Sequence, residues 1–366
     1  MILYILAIII SIVVLFYTFI KIRYRFWYLQ PVNHYYNWFC KRGIILSELP
    51  EKTKYTNTKN VRTYNFQKLH ENDLKHILSM LELTKDKFVP HFAHTSQPSF
   101  VSIYLKNDIL SNNKGLPIER QKIVGCITSR VINVSIYSYN LDAYYIDYLH
   151  AKKLDVEEQL FQTHEYNQSH LNKSIAVSLF RRETRLPSII PAIKTKIYNF
   201  NLLKWSQPSP LDSCLTLVLG DKQNIYYFYN FFKGLKKWSL SVIPDMSNIM
   251  EQVATQNLYV MMIMQDHDIK AVYIFKHIND TTLCLLSSIQ DKIETNDFIC
   301  GFFNAIKKII EKHIYTTLLI EDLSFNGKII DQILVKWYPT SVKDIYYYWY
   351  NYCCPTTPFE KSFIIV

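Results

Sequence analysis

Glycine is scarce, with 7 residues in 366. So few glycines argue against loops that bring backbone amides close to a phosphate, and neither GxGxxG nor a P-loop motif occurs. Dinucleotide-binding and P-loop chemistry are thereby set aside. Cysteine is equally rare: there are seven, an odd number, with no CxxC pair at zinc spacing. No metal and no permanently bound cofactor is expected, and unpaired thiols suit a reducing compartment. Low-complexity runs and short repeats are also missing. The net charge is +10, but no basic stripe accounts for it. Scattered cations among 28 Tyr could serve nucleic acid. A solvated basic surface beside anionic lipid is the preferred explanation, and no nucleic-acid partner is expected.

What is present begins at the N-terminus. Residues 2–20, ILYILAIIISIVVLFYTFI, contain no charge. A bilayer core needs roughly 20 such residues. A cleaved signal peptide would carry Lys or Arg before its apolar run and a small-x-small site after it, and neither is there. Lys21, Arg23 and Arg25 follow directly. Positive residues stay on the cytoplasmic side, so residues 1–21 read as a single-pass anchor with the body facing the cytoplasm. Heavy use of Ile, Lys, Tyr and Asn is that of an AT-rich genome, which points to a large DNA virus or intracellular parasite, and to a host or virion membrane.

The rest of the chain is long enough for two domains. In residues 66–83, Leu69, Leu74, Ile77, Leu78 and Leu81 fall at helical spacing. Strands are expected at 100–105, 122–137, 144–150 and 174–180, and helices at 156–171 and 188–198. Pro208 and Pro210 mark a boundary, giving halves 22–205 and 206–366. In the second half, helices are expected at 225–235, 243–256, 296–312 and 329–336. Strands are expected at 260–263 and 269–276 around a QDHD turn, then at 282–288, 315–323 and 344–352. The matching order predicts an α+β fold in two copies related by a pseudo-twofold, with a parallel βαβ unit.

Particular residues then carry a resemblance. Tyr24-Arg25-Phe26-Trp27 followed by Gln30-Pro31-Val32 is similar to the Tyr-Lys-Phe-Trp and Gln-Pro-Val near the start of the N-myristoyltransferases. The run Lys122 to Ser129, KIVGCITS, is similar to their Lys-Leu-Val-Gly-Phe-Ile-Ser strand. Tyr148-Leu149 with Lys152-Lys153-Leu154 is similar to Phe-Leu-Cys-Val-His-Lys-Lys-Leu. Asp322-Leu323 fits a Leu-Asp-Leu strand, and YYYWYNYCCP with FEKSFIIV fits Tyr-Tyr-Leu-Tyr-Asn-Trp, Cys-Pro and a short terminal strand. The blocks stand in the family's order, from Tyr24 to Val366.

The resemblance implies a tandem GNAT-like fold, with an acyl-CoA-binding half followed by a peptide-binding half. It implies a monomer that moves a long acyl chain from acyl-CoA, myristoyl-CoA in the family, to the N-terminal glycine of target proteins. The backbone amides of Tyr148 and Leu149 would polarise the thioester carbonyl. The free C-terminal carboxylate, here that of Val366, would be the base, and the apolar ending Phe363-Ile364-Ile365-Val366 suits a buried tail. Tyr24, Arg25, Phe26, Trp27, Lys152 and Lys153 would meet coenzyme A, with cations for its phosphates and aromatics for its adenine.

Two places depart from the family pattern. After Leu154 the family has a basic turn that cradles a pyrophosphate. This chain has Asp155-Val156-Glu157-Glu158 there, good chemistry for a helix start but repulsive to an anion. Each like-charge contact costs on the order of 1 kcal/mol or more at intermediate dielectric. Where the family has an Asn near the peptide amine, this chain has Leu319. Three functions remain open on sequence: a working N-acyltransferase, a membrane-bound pseudoenzyme that keeps the fold, and a GNAT enzyme using acetyl-CoA.

Overall fold

In the computed structural model, residues 2–37, 41–111, 117–137, 139–235 and 237–366 are described. Helix α1 (Ile2–Arg23) is apolar on every face and stands away from the body, with 6% of its apolar window buried. A helix hydrophobic all round needs an apolar surrounding. This one is long and apolar enough to cross a membrane.

The first half of the body then runs β1 (Gly43–Ile44), β2 (Val61–Asn65), α2 (Glu71–Leu81), α3 (Lys85–Phe88), β3 (Phe100–Ser111), β4 (Pro117–Ile136), β5 (Tyr139–Ala151), α4 (Leu154–Leu171), β6 (Ser178–Arg182) and β7 (Ile193–Asn201). The second half starts with β8 (Thr216–Leu219), α5 (Ile225–Gly234), β9 (Leu240–Ile243), α6 (Met246–Ala254), β10 (Leu258–Gln265), β11 (Asp268–Asn279) and β12 (Thr282–Gln290). It ends with α7 (Thr295–Ile310), β13 (Thr317–Glu321), α8 (Asn326–Leu334), β14 (Ser341–Tyr350), β15 (Tyr352–Cys353) and β16 (Ser362–Ile364).

The two halves repeat one plan. Strands β3, β4 and β5 are antiparallel neighbours, and α4 then crosses to β6, which lies parallel to β5. Strands β10, β11 and β12 are likewise antiparallel, and α7 crosses to β13, parallel to β12. The closing strands are exchanged. β7, which ends the first half, pairs with β13 of the second, and β14 pairs with β6 of the first. β7 and β14 also pair with each other. The pseudo-twofold therefore runs between β7 and β14, in the middle of a 14-stranded sheet. The tandem α+β arrangement expected from the repeated order is what the chain adopts.

Local chemistry explains many of the elements. The β10–β11 hairpin turns on Asp266 and His267 alone, both at positive φ (49° and 68°). That is the geometry of a two-residue type I′ turn. Helix α7 packs flat because Gly301 has no side chain. A Cβ there would stand 2.7 Å from the Tyr273 hydroxyl and closer still to Ile263.

Strands β2, β8 and β9 were not expected, and one element changes type from its sequence reading. Residues 188–198 were expected to be helical, but Ile193–Asn201 is strand β7. Buried Ile193 and Thr195 alternate with exposed Lys194 and Lys196, a period of two. The slot between β13 and β14 offers hydrogen-bonding partners along both edges, which outweighs any local helical preference.

Candidate active site

The chain ends in its own interior. β16 lies parallel to β9, with Ser362, Phe363 and Ile364 opposite Leu240, Ser241 and Val242. Ile364 N–H donates to Ser287 Oγ at 3.1 Å, and that hydroxyl donates to the Ile364 carbonyl at 2.9 Å. Ile365 N–H donates to the Val242 carbonyl at 3.0 Å. Phe363 is buried against Phe232 and Trp238. The tail is thus locked residue by residue, and Val366 is 8% exposed. Its terminal oxygen accepts a hydrogen bond from Lys276 Nζ at 3.2 Å.

A second feature lies on β5. Its parallel pairing with β6 covers Tyr144–Ile146 opposite Ser178–Phe180 and stops there, although both strands continue. Against β4, Thr128 faces Asp147 and Cys126 faces His150, so Tyr148 and Leu149 together oppose Ile127. Two residues against one make a β-bulge, a device that re-aims backbone groups. Tyr148 takes φ of 48°, which is uncommon for a bulky residue. Its ring is held by Phe88, His91 and Phe92. Its N–H donates to Asp147 Oδ1 at 3.2 Å. Gly125 is required beside the bulge, because a Cβ there would lie 2.9 Å from the His150 carbonyl oxygen.

Val366 and Asp147 line one cavity of about 470 Å³, together with Tyr145, Arg181, Asn199, Lys276, Leu319, Glu321 and Tyr347. Strands from both halves form its walls. The Arg181 guanidinium lies 3.5 Å from Glu321, which also accepts a hydrogen bond from the Tyr347 hydroxyl at 2.7 Å. Arg130, fully buried behind, has its Nε 3.7 Å from Asp147 Oδ2 and its guanidinium 5.6 Å from the Tyr145 ring. Arg130 stands against Asp147 and Arg181 against Glu321, as charges removed from water must be balanced. Burial lowers the pKa of Lys276. Arg130 and Arg181 act the same way, and Asp147 opposes them.

The cavity also repairs an apparent defect. Leu319 stands where an Asn was expected, but its cross-strand partner is Asn199. Both residues line the cavity, so an amide is available one strand away.

The expected donor-side residues gather elsewhere. Tyr24 extends α1, its N–H donating to the Ile20 carbonyl at 2.9 Å, and Arg25 is exposed. Phe26 is 4% exposed, edge-on to Trp27 and Tyr55 at 4.9 and 5.0 Å. Trp27 stacks on Phe180 of β6. Lys152 and Lys153 are exposed at the start of α4, where Lys153 supplies no side-chain cap. Glu157 pairs with Arg182. The Glu158 carboxyl is pushed up by burial and then by Glu157 and Asp155. Phe26, Trp27, Phe161, Glu157 and Arg182 leave about 20 Å³ between them. β6 divides the two regions: Phe180 and Arg182 face the aromatic side, and Arg181 faces the cavity, the alternation of any strand.

The flanking motifs have a structural task. The Tyr350 hydroxyl donates to Gln30 Oε1 at 3.3 Å, Asn351 N–H to the Pro31 carbonyl at 2.6 Å, and Asn33 Nδ2 to the Cys354 carbonyl at 3.1 Å. The block after the anchor is thereby docked onto β14 and β15.

Sequence reasoning brought out Val366, Tyr148 and Leu149. It missed Asp147, Arg181, Asn199, Lys276 and Glu321. A usable signal was there: YYIDYL and AVYIFK each set a charge in an apolar strand, where ionised groups are rarely buried without a partner.

No protein-family model and no curated protein matches the sequence. The fold does match solved structures. Three structures of Saccharomyces cerevisiae N-myristoyltransferase with bound myristoyl-CoA, one of them also with inhibitors, are similar to this chain. The first has a TM-score of 0.68 at 12% identity, covering 91% of this chain and 89% of that one. The second has a TM-score of 0.65 at 13% identity, covering 91% and 94%. The structure with inhibitors has a TM-score of 0.69 at 12% identity, covering 91% of each chain. The chain has the N-myristoyltransferase fold with a strongly divergent sequence.

Proposed function

We propose that this chain, built on the N-myristoyltransferase fold, is a membrane-anchored N-acyltransferase. It moves a long acyl chain from acyl-CoA to the N-terminal glycine amine of a target protein. The observation that carries this reading is the buried last residue, Val366, in one cavity with Asp147, the residue before the β-bulge.

In the proposed reaction the thioester carbonyl lies at the backbone amides of Leu149 and of Tyr148, the latter released from Asp147 Oδ1, and they stabilise the charge that develops on its oxygen. The Val366 carboxylate accepts a proton from the incoming ammonium. Asn199 holds the amine in line. Arg25, Lys152 and Lys153, all exposed, meet the phosphates of coenzyme A. Helix α1 anchors the body on the cytoplasmic face, as Lys21 and Arg23 at its end favour. Tyr24 follows it directly, so the donor site is near the bilayer surface, where long acyl chains partition.

A second reading is favoured by one specific contact. The Glu157–Arg182 pair and the aromatic packing around Trp27 occupy the start of α4, where a pyrophosphate would need room and positive charge. A protein that keeps the fold and binds partners without catalysis fits that contact.

Full-length protein in lipid nanodiscs, given myristoyl-CoA and a peptide beginning with Gly, separates the two. N-acylated peptide detected by mass spectrometry is the expected result. Absence of both myristoyl-CoA binding and transfer at high micromolar ligand leaves the non-catalytic reading.

A further inference from the structure

We propose that Lys276 is itself an acyl acceptor, its side-chain amine being converted by a bound long-chain acyl thioester to an N-acyl-lysine. This inference deepens the acyltransferase reading and rests on it.

An acceptor amine must sit beside the base that takes its proton. Lys276 Nζ already does, 3.2 Å from the terminal oxygen of Val366. It must also face the group that polarises the carbonyl. Asp147, immediately before the bulge at Tyr148 and Leu149, lines the same cavity, and its charge acts on Lys276. The lysine backbone is pinned between Leu258 of β10 and Cys284 of β12, so only the side chain has to move. Its desolvation beside Arg130 and Arg181 raises the share of neutral amine. Removal from water and neighbouring cations are the conditions that make a lysine nucleophilic.

The step balances without a further reactant. Nζ gives one proton to the Val366 carboxylate, and its lone pair forms an N–C bond at the thioester carbonyl. Collapse breaks the C–S bond, and coenzyme A leaves as a thiol carrying the second nitrogen proton. The product is an amide on β11 whose acyl chain occupies the cavity and excludes a peptide.

The test uses the full-length chain in lipid nanodiscs with myristoyl-CoA and no peptide. Intact mass and tandem mass spectrometry are expected to find one myristoyl group, on Lys276, stable to hydroxylamine as an amide is. It is expected to be absent from Lys276→Met, and formed about a hundredfold more slowly when two residues are appended after Val366, the usual scale for losing a general base. If Lys276→Met fails to fold, judged by its thermal transition, Lys276→Arg takes its place. Myristoylation spread over exposed lysines such as Lys152 and Lys343, with no excess at Lys276, overturns the proposal. So does acylation of an added Gly-initiated peptide with none at Lys276, an outcome that leaves the transferase reading intact. Failure to bind myristoyl-CoA in a parallel titration overturns both.

Discussion

Trp27 lies flat on Phe180, with ring centroids 5.7 Å apart and planes 9° from parallel. The contact ties the segment just after helix α1 to β6, the strand that separates the aromatic side from the charged cavity. It spends on packing a ring that the sequence suggested for adenine. Trp27→Ala should cost about 2–4 kcal/mol, at or below the range for a fully buried ring because Trp27 is only partly buried. Trp27→Phe should recover much of it. Thermal unfolding of the two variants in one detergent checks this, and equal loss from both would deny the stack its role.

Glu157→Gln should tighten acyl-CoA binding. It removes a negative charge from the first turn of α4 and releases Arg182 from its ion pair. About tenfold in Kd is expected, the equivalent of roughly 1.4 kcal/mol. The gain should shrink between low and high salt because Glu157 and Arg182 are partly open to solvent, where ions screen them. Calorimetric titration at two salt concentrations measures both.

Gly125→Ala should strain the bulge. The new methyl meets a backbone carbonyl of His150 that cannot rotate away, so overpacking of about 1–3 kcal/mol is expected. Donor binding should weaken with it, since β4 and β5 are forced apart where Tyr148 and Leu149 are presented. An unchanged melting temperature would contradict the close approach.

Two residues appended after Val366 should lower peptide acylation by about two orders of magnitude or more, as loss of a general base does. β16 and its bonds to Ser287 and Val242 stay in place, so the fold should survive. Undiminished turnover would exclude the terminal carboxylate as base.

Glu165 should make stability fall with rising pH. The side chain is buried in α4, accepts a hydrogen bond from Ser178, and is pushed by burial from 4.5 up to about 8. Below 4.5 it is protonated in both folded and unfolded chains, and its contribution is fully present. Between 4.5 and 8 only the unfolded chain ionises freely, so stability is lost through that window and levels off above it. The loss amounts to about 3–5 kcal/mol, from 1.36 kcal/mol per pKa unit. Glu165→Gln keeps the shape without the titration, so its advantage over the parent should grow from pH 5 to pH 8. Denaturant midpoints at those two pH values decide it.

Much of the fold could be read locally. Helix α1 follows from an apolar run that no charge interrupts, and α4 and α7 follow from helical spacing of their apolar residues. The β10–β11 hairpin is marked by Asp266 and His267 between two apolar runs, and the tandem order of elements is visible along the chain. Val366 came into view through the family resemblance, which an apolar tail suits. Strand β7 did not, because its shorter alternation can be taken for a helix until β13 and β14 stand on either side of it. The charged cavity was illegible for a related reason. Arg181, Lys276 and Glu321 lie on three different strands, and Asn199 replaces the amide missing at Leu319 only through the β7–β13 register. The sequence by itself determined the long apolar helix α1 and most of the element types, because hydrophobicity and its period act within a few residues. Only the tertiary structure decided that Lys276 meets the C-terminus and that Asp147 joins them. Strand exchange across the pseudo-twofold sets such neighbours, and no local preference encodes it.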